Sequence, residues 1–244
     1  MCDFLGSFDY EKPLSLYIHV PFCDSKCGYC AFFSVSGYHD DVKSAYVAKL
    51  ISELEEVVDR MDGRTFETAY IGGGNPGCLD VRSLYEIAGL VCRNGRPKEF
   101  TVEMNPDTLS PDMGVLFGGF FTRLSLGVQS LNERALEFLG RNATLGQTYH
   151  GLELSQNMRA KTGCELSYDL ITCLGPWHDP LKDVQALCSG FPSNHLSVYA
   201  LTLEEGTPLF KRHPSLPDDD MQARILGSVW SALGKWGFEH YEVS

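Results

Sequence analysis

The chain has 244 residues, 43% apolar and 21% charged, which is enough apolar material for a sizeable core and too many charges for a membrane protein. Twenty Lys and Arg against 32 Asp and Glu leave a net charge of -12, so no overall cationic field exists to attract nucleic acid or anionic lipid. No apolar run approaches the ~18 residues of a membrane span, and the start, with Asp3, Asp9 and Glu11, lacks the basic and apolar regions of a leader, which points to a cytoplasmic protein.

In chain order, a first strand is predicted at 16–20 from its β-branched and apolar content. A stripe of Val42, Tyr46, Val47, Leu50, Ile51, Leu54, Val57, Val58 and Met61 then reads as an amphipathic helix, with Asp40 or Asp41 suited to cap it. Strands follow at 68–71, 100–104, 123–127, 166–170 and 196–201, bounded by Gly, Pro or Asn. Between them helices are expected at 81–92, at 111–117 after a Ser110 cap, at 133–139, at 145–161 before Gly163, at 181–188 and at 219–236. Six rounds of strand and helix with no Pro/Ser-rich linker argue one α/β domain over 1–244 with a parallel sheet, barrel-like or doubly wound. Its ligands belong at the carboxyl ends of the strands.

The nine cysteines are distributed unevenly: Cys23, Cys27 and Cys30 crowd into eight residues directly behind the first strand. Cys2, Cys78, Cys92, Cys164, Cys173 and Cys188 stand singly and read as small buried hydrophobes. Three thiolates at this spacing suit three irons of a cubane cluster and leave the fourth iron open to a small molecule. The competing reading is zinc, which needs four ligands and would draw on His19 or Cys78. No second cysteine pair of the kind a structural zinc site uses is present.

The spacing C-x3-C-x2-C with an aromatic, Tyr29, before the last Cys resembles the signature of radical S-adenosylmethionine (SAM) proteins. The run Tyr17-Ile-His-Val-Pro-Phe-Cys23 is similar to the opening of the oxygen-independent coproporphyrinogen III oxidase family, which includes HemW-like haem chaperones. The resemblance continues through Gly72-Gly-Gly-Asn-Pro76, Val102-Glu-Met-Asn-Pro106, Arg123-Leu-Ser-Leu-Gly-Val-Gln-Ser130, Leu139-Gly-Arg141, Tyr168-Asp-Leu-Ile171, Leu196-Ser-Val-Tyr-Ala-Leu201 and Glu205-Gly-Thr207. It implies a partial, TIM-like (β/α)6 barrel carrying a [4Fe-4S] cluster on Cys23, Cys27 and Cys30. In the family, the amino and carboxylate groups of SAM chelate the open iron, and an electron from the cluster cleaves the sulfonium to a 5'-deoxyadenosyl radical.

The same resemblance implies cofactor contacts from the glycine loop (Gly73, Gly74 and Asn75, where the family usually has Thr), and from Glu103, Gln129, Arg141 and Asp169. Tyr17, Tyr29 and Ala200 match positions lining cluster or cofactor. Blander readings stand beside these. The glycines suit any tight strand-to-helix turn, Glu103 could pair with Arg123 or Arg141, Arg141 could cap the helix before it, and Tyr17, Tyr29 and Ala200 could be ordinary core.

Within the family, oxidases carry a further Cys two positions after the third ligand, where this chain has Phe32. That residue and the short leader at 1–22 match the chaperone branch. Departures from that branch are Ala143, where a His is usual, and Cys173-Leu-Gly-Pro176 in place of Gly-Leu-Pro. The chain stops at Tyr241-Glu-Val-Ser244, short of a C-terminal family region. Three functions follow from the resemblance: a haem chaperone passing haem to an acceptor protein, with an electron donor for its cluster; a coproporphyrinogen III oxidase; or a truncated, inactive remnant.

Overall fold

The computed structural model describes residues 9–243, so Cys2 and the first eight residues of the leader lie outside the described residues. The described residues form eight strands and eight α-helices: β1 (Ser15–Val20), β2 (Phe22–Cys23), β3 (Val35–Ser36), α1 (Asp40–Arg60), β4 (Thr68–Gly73), α2 (Val81–Val91), β5 (Glu99–Met104), α3 (Gly114–Gly119), β6 (Arg123–Gln129), α4 (Glu133–Leu139), α5 (Leu145–Thr162), β7 (Glu165–Thr172), α6 (Pro180–Gly190), β8 (His195–Ala200), α7 (Pro208–Lys211) and α8 (Asp219–Lys235). Six strands pair in parallel in the order β1-β4-β5-β6-β7-β8, and β2 and β3 form a separate two-residue ladder. This is the α/β arrangement expected from the six predicted strands. No helix among the described residues is long and apolar enough to cross a membrane.

Alternation within the strands gives the sheet two unlike faces. Ile18, Ile71, Phe100, Val102, Leu124, Leu126, Leu166 and Tyr168 are buried in one apolar cluster with Leu54, Leu84, Leu116 and Leu152 from the helices. The alternate positions are polar and bond to one another: Tyr70 to Glu103, Arg123 to Glu99, Ser125 to Asp169 and Ser167 to His195. A closed barrel fills that interior with branched apolar side chains. Here it is a polar surface beneath the carboxyl ends of the strands.

Local corrections to the predicted elements have physical causes. Neither Asp40 nor Asp41 caps α1; His39 is its N-cap, and the two aspartates lie in the first turn, where the helix dipole favours them. Ser110 makes no capping bond, and Pro111–Met113 forms a 3-10 turn, leaving the Gly-rich Gly114–Gly119 as a short helix. A capping box of Thr144 and Gln147 starts α5, and Gly163 ends it in the left-handed conformation.

Candidate functional site

Past the carboxyl end of β1, Cys23 ends β2, and Cys27 and Cys30 lie in the segment between β2 and β3. Two backbone bonds clamp this loop from below: Gly28 N–H donates to the Leu139 carbonyl at the end of α4 (2.9 Å), and Leu209 N–H donates to the Gly28 carbonyl (2.7 Å). The approach requires glycine on both sides. A Cβ on Gly140 would lie 2.9 Å from Gly28 N, and Gly140 itself sits at φ +66°. Beside the clamp Tyr29 packs on a second apolar cluster of Ala135, Leu139, Ile171, Leu174, Leu201 and Leu209.

The same clamp brings Arg141, one residue past Gly140, beside the thiols. Its Nη1 lies 3.4 Å from Cys27 Sγ, and its Nη2 donates to Asn105 Oδ1 (2.9 Å) and to the Gly127 carbonyl (2.8 Å). The guanidinium does not cap α4. Its Nε is buried without a partner. Gln129 joins this group: a Cβ on Gly127 would lie 3.0 Å from Gln129 Nε2, 3.5 Å from Asn105 Oδ1 and 3.8 Å from Arg141 Nη2.

Cys23, Cys27 and Cys30 are free and half-buried. Burial pushes the Cys23 thiol above its ordinary value, and the neighbouring Cys30 and Cys27 add to the rise. Among the described residues, no three His, Cys, Asp or Glu side chains converge as they would around a single ion. The two candidates for the fourth ligand of a zinc site are engaged elsewhere. His19 bonds Tyr17 Oη through Nδ1 (3.0 Å) and the Phe33 carbonyl through Nε2 (2.9 Å). Burial and the adjoining Asp24 carboxylate push the Cys78 thiol up to about 12. A set of three thiols and no fourth ligand suits a cubane with one open iron better than zinc.

The glycine loop is required by the protein's own packing. A Cβ on Gly72 would meet Glu103 Oε2 at 2.5 Å, on Gly73 the His19 imidazole at 2.7 Å, and on Gly74 the Phe22 carbonyl at 2.5 Å. Asn75 is 2% exposed, and its side chain is committed to Thr108, Gly77 N–H and Asn105 N–H. Through the last of these bonds it holds Asn105.

Glu103 pairs with neither Arg123 nor Arg141. Its Oε1 accepts from Tyr70 Oη (2.5 Å) and its Oε2 from Gly73 N–H (3.3 Å). Asp169 accepts from Ser125 Oγ (3.3 Å), and burial raises its carboxyl to about 6, against the opposing Ser197 hydrogen bond and with the Glu103 charge adding to the rise. Tyr17 stacks on Tyr70 (6.1 Å between centroids) and is exposed, so it is not core; Ala200 ends β8 opposite Thr172. Nothing in the sequence marks Asn105 or Tyr70 as a site residue: Asn105 reads as the turn residue before Pro106, and Tyr70 as an ordinary strand aromatic.

Comparison with known proteins places this arrangement. Residues 17–178 match the Radical SAM superfamily. The chain is 34% identical to the heme chaperone HemW of Lactococcus lactis over 96% of its length, and 34% identical to HemW of Escherichia coli over 95%; it spans 62% of each of those relatives. The solved coproporphyrinogen III oxidase (HemN) of Escherichia coli, a radical SAM enzyme, superposes with a TM-score of 0.82 at 23% identity, covering 97% of this chain and 56% of that one. With the family match running across well over half its length and three thiols grouped at the carboxyl end of its first strand, the chain belongs to the radical SAM superfamily, membership of which implies a [4Fe-4S] cluster and SAM.

Proposed function

We propose that this chain is the core of a HemW-like haem chaperone that holds a [4Fe-4S] cluster on Cys23, Cys27 and Cys30, binds SAM at the open iron, and binds haem for transfer to an acceptor protein. The observation that carries the cofactor part is the convergence of Arg141, Asn105 and Gln129 beside Cys27, with Arg141 Nε buried and unpartnered. The similarity to HemW chaperones over nearly the whole chain supports the chaperone reading. So does the exposed Phe32 where the oxidases carry a further Cys.

When bound, cluster and SAM would supply reductive cleavage of the sulfonium. The chain's own residues bind and orient. Arg141 offers a guanidinium to the SAM carboxylate, a pairing whose planar geometry fixes orientation as well as affinity. Glu103, tied by Tyr70 and Gly73, and Asp169 offer acceptors to amino and hydroxyl groups, while Gln129 offers an amide. The reading also assigns Gly73, Gly74, Tyr17, Tyr29 and Ala200 to the lining of the cofactor site, with Asn75 supporting it through Asn105. The reading includes an electron donor for the cluster, a cytoplasmic location and residues 1–244 acting as one unit.

Anaerobic reconstitution followed by iron and sulfide analysis tests it, with EPR of the reduced protein recorded with and without SAM and a Soret titration with haem. The expected result is a cubane signal altered by SAM, saturable haem binding and no decarboxylation of coproporphyrinogen III. Decarboxylated product would establish the oxidase reading instead. Failure to form a cluster would leave an inactive remnant.

A further inference from the structure

Gln129 ends β6 at φ +67°, in the left-handed region that residues other than glycine seldom occupy. The β6–β7 register shifts between Leu126 and Gln129, and such irregularities re-aim a side chain at a site's edge. Here the Gln129 amide is turned over Gly127 toward Asn105 and Arg141. A conformation of this kind persists only where its surroundings hold it.

The next two residues are held from outside the sheet. Ser130 Oγ donates to Asp183 Oδ2 (2.6 Å) and Leu131 N–H donates to Asp183 Oδ1 (3.1 Å). His178 Nε2 lies 3.1 Å from the same Oδ2, and Asn132 N–H donates to Ser130 Oγ (3.1 Å). Ser130, His178 and Asp183 are all buried. A buried carboxylate is tolerated only when its oxygens are satisfied, and both oxygens of Asp183 take donors from the segment directly behind Gln129. The trio is not a hydrolytic triad, because the serine hydroxyl donates to the carboxylate and no substrate reaches it.

We infer that Asp183, on the outer helix α6, is a positioning residue: by fixing Ser130 and Leu131 it keeps Gln129 in its left-handed turn with the amide presented to Arg141 and Asn105. The consequence for SAM rests on the SAM-binding reading above; the effect on Gln129 does not.

Two measurements on the full chain separate these. Crystal structures of Asp183→Ala and of the milder Ser130→Ala should show Gln129 leaving the positive-φ region and its amide withdrawing from Gly127. Should Gln129 stay in place in a folded variant, the inference is wrong whatever binds. Titration of SAM into the cluster-loaded protein should show about a tenfold loss of affinity in Asp183→Ala and about threefold in Ser130→Ala, at unchanged iron content. Neither change should weaken binding further in a Gln129→Ala background; equal losses in both backgrounds would show that Asp183 acts by another route. Absence of SAM binding in the unaltered protein would overturn the SAM reading, and the crystal structures would still decide the role of Asp183.

Discussion

Arg141 and Cys27 are 114 positions apart in sequence and meet at 3.4 Å because the Gly28–Gly140 contact lets two backbones approach where any side chain would part them. Three protein acceptors hold the guanidinium by its two Nη atoms, so its direction is fixed before a ligand arrives.

Replacing Arg141 by Lys keeps the charge and loses the fork. Hydrogen bonds to charged groups contribute roughly 1.5–3 kcal/mol, so SAM affinity should fall by about tenfold or more. Iron content should be unchanged, since the guanidinium is not a ligand. Calorimetric titration of cluster-loaded protein checks both; undiminished affinity would remove Arg141 from the site.

Each of Cys23→Ala, Cys27→Ala and Cys30→Ala should abolish cluster loading, whereas Cys92→Ala should keep iron and lose only packing, about 1 kcal/mol of stability. Cys78→Ala separates cluster from zinc: with Cys78 held as a thiol against Asp24, iron loading should be unaffected. Metal analysis reads all five variants.

Asp169 makes stability depend on pH in a defined window. Its carboxyl titrates near 6 in the folded chain against 3.8 unfolded, so the folded state holds the proton more tightly. The stabilisation is complete below about pH 4 and is lost as pH rises through 6. A shift of one pKa unit corresponds to about 1.4 kcal/mol; with partial access of water to the site, the loss should be on the order of 1–2 kcal/mol. Asp169→Asn should flatten the thermal stability profile between pH 4 and 6.5, and an unaltered slope in that variant would place the titration elsewhere.

The strands are legible in the sequence because one face of each is apolar and the other polar, as in Arg123-Leu-Ser-Leu-Gly-Val-Gln129. A parallel sheet covered on both faces would read as a continuous apolar run, so the alternation that reveals β6 also shows that its second face is polar. The cysteines are legible from their spacing. The roles of Asn105, Tyr70 and Asp183 are not, because each acts through a residue 30 to 53 positions away in sequence. The strands β2 and β3, of two residues each, and the four-residue α7 fall below the length at which a hydrophobic period can be recognised. Asn75 reads as a ligand contact from its place after the glycines, yet the carbonyl oxygen of its side chain caps the turn that follows.

The two glycines in the first half of α5 provide a last, opposed pair of outcomes. Gly146 is exposed, and a Cβ there would meet nothing closer than Thr144 Oγ1 at 4.0 Å, so Gly146→Ala should stabilise the chain by about 0.5–1 kcal/mol through backbone entropy alone. Gly151 faces the Asn105–Pro106 turn, where a Cβ would lie 2.7 Å from the Pro106 carbonyl oxygen and 2.8 Å from its Cα. Those are backbone atoms that cannot swing aside, so Gly151→Ala should destabilise by about 1–3 kcal/mol and push Asn105 off Arg141. Thermal unfolding should move in opposite directions for the two variants, and only Gly151→Ala should also weaken SAM binding. A Gly151→Ala protein with lowered stability and unchanged SAM affinity would show that the α5 contact supports the fold without setting the position of Asn105.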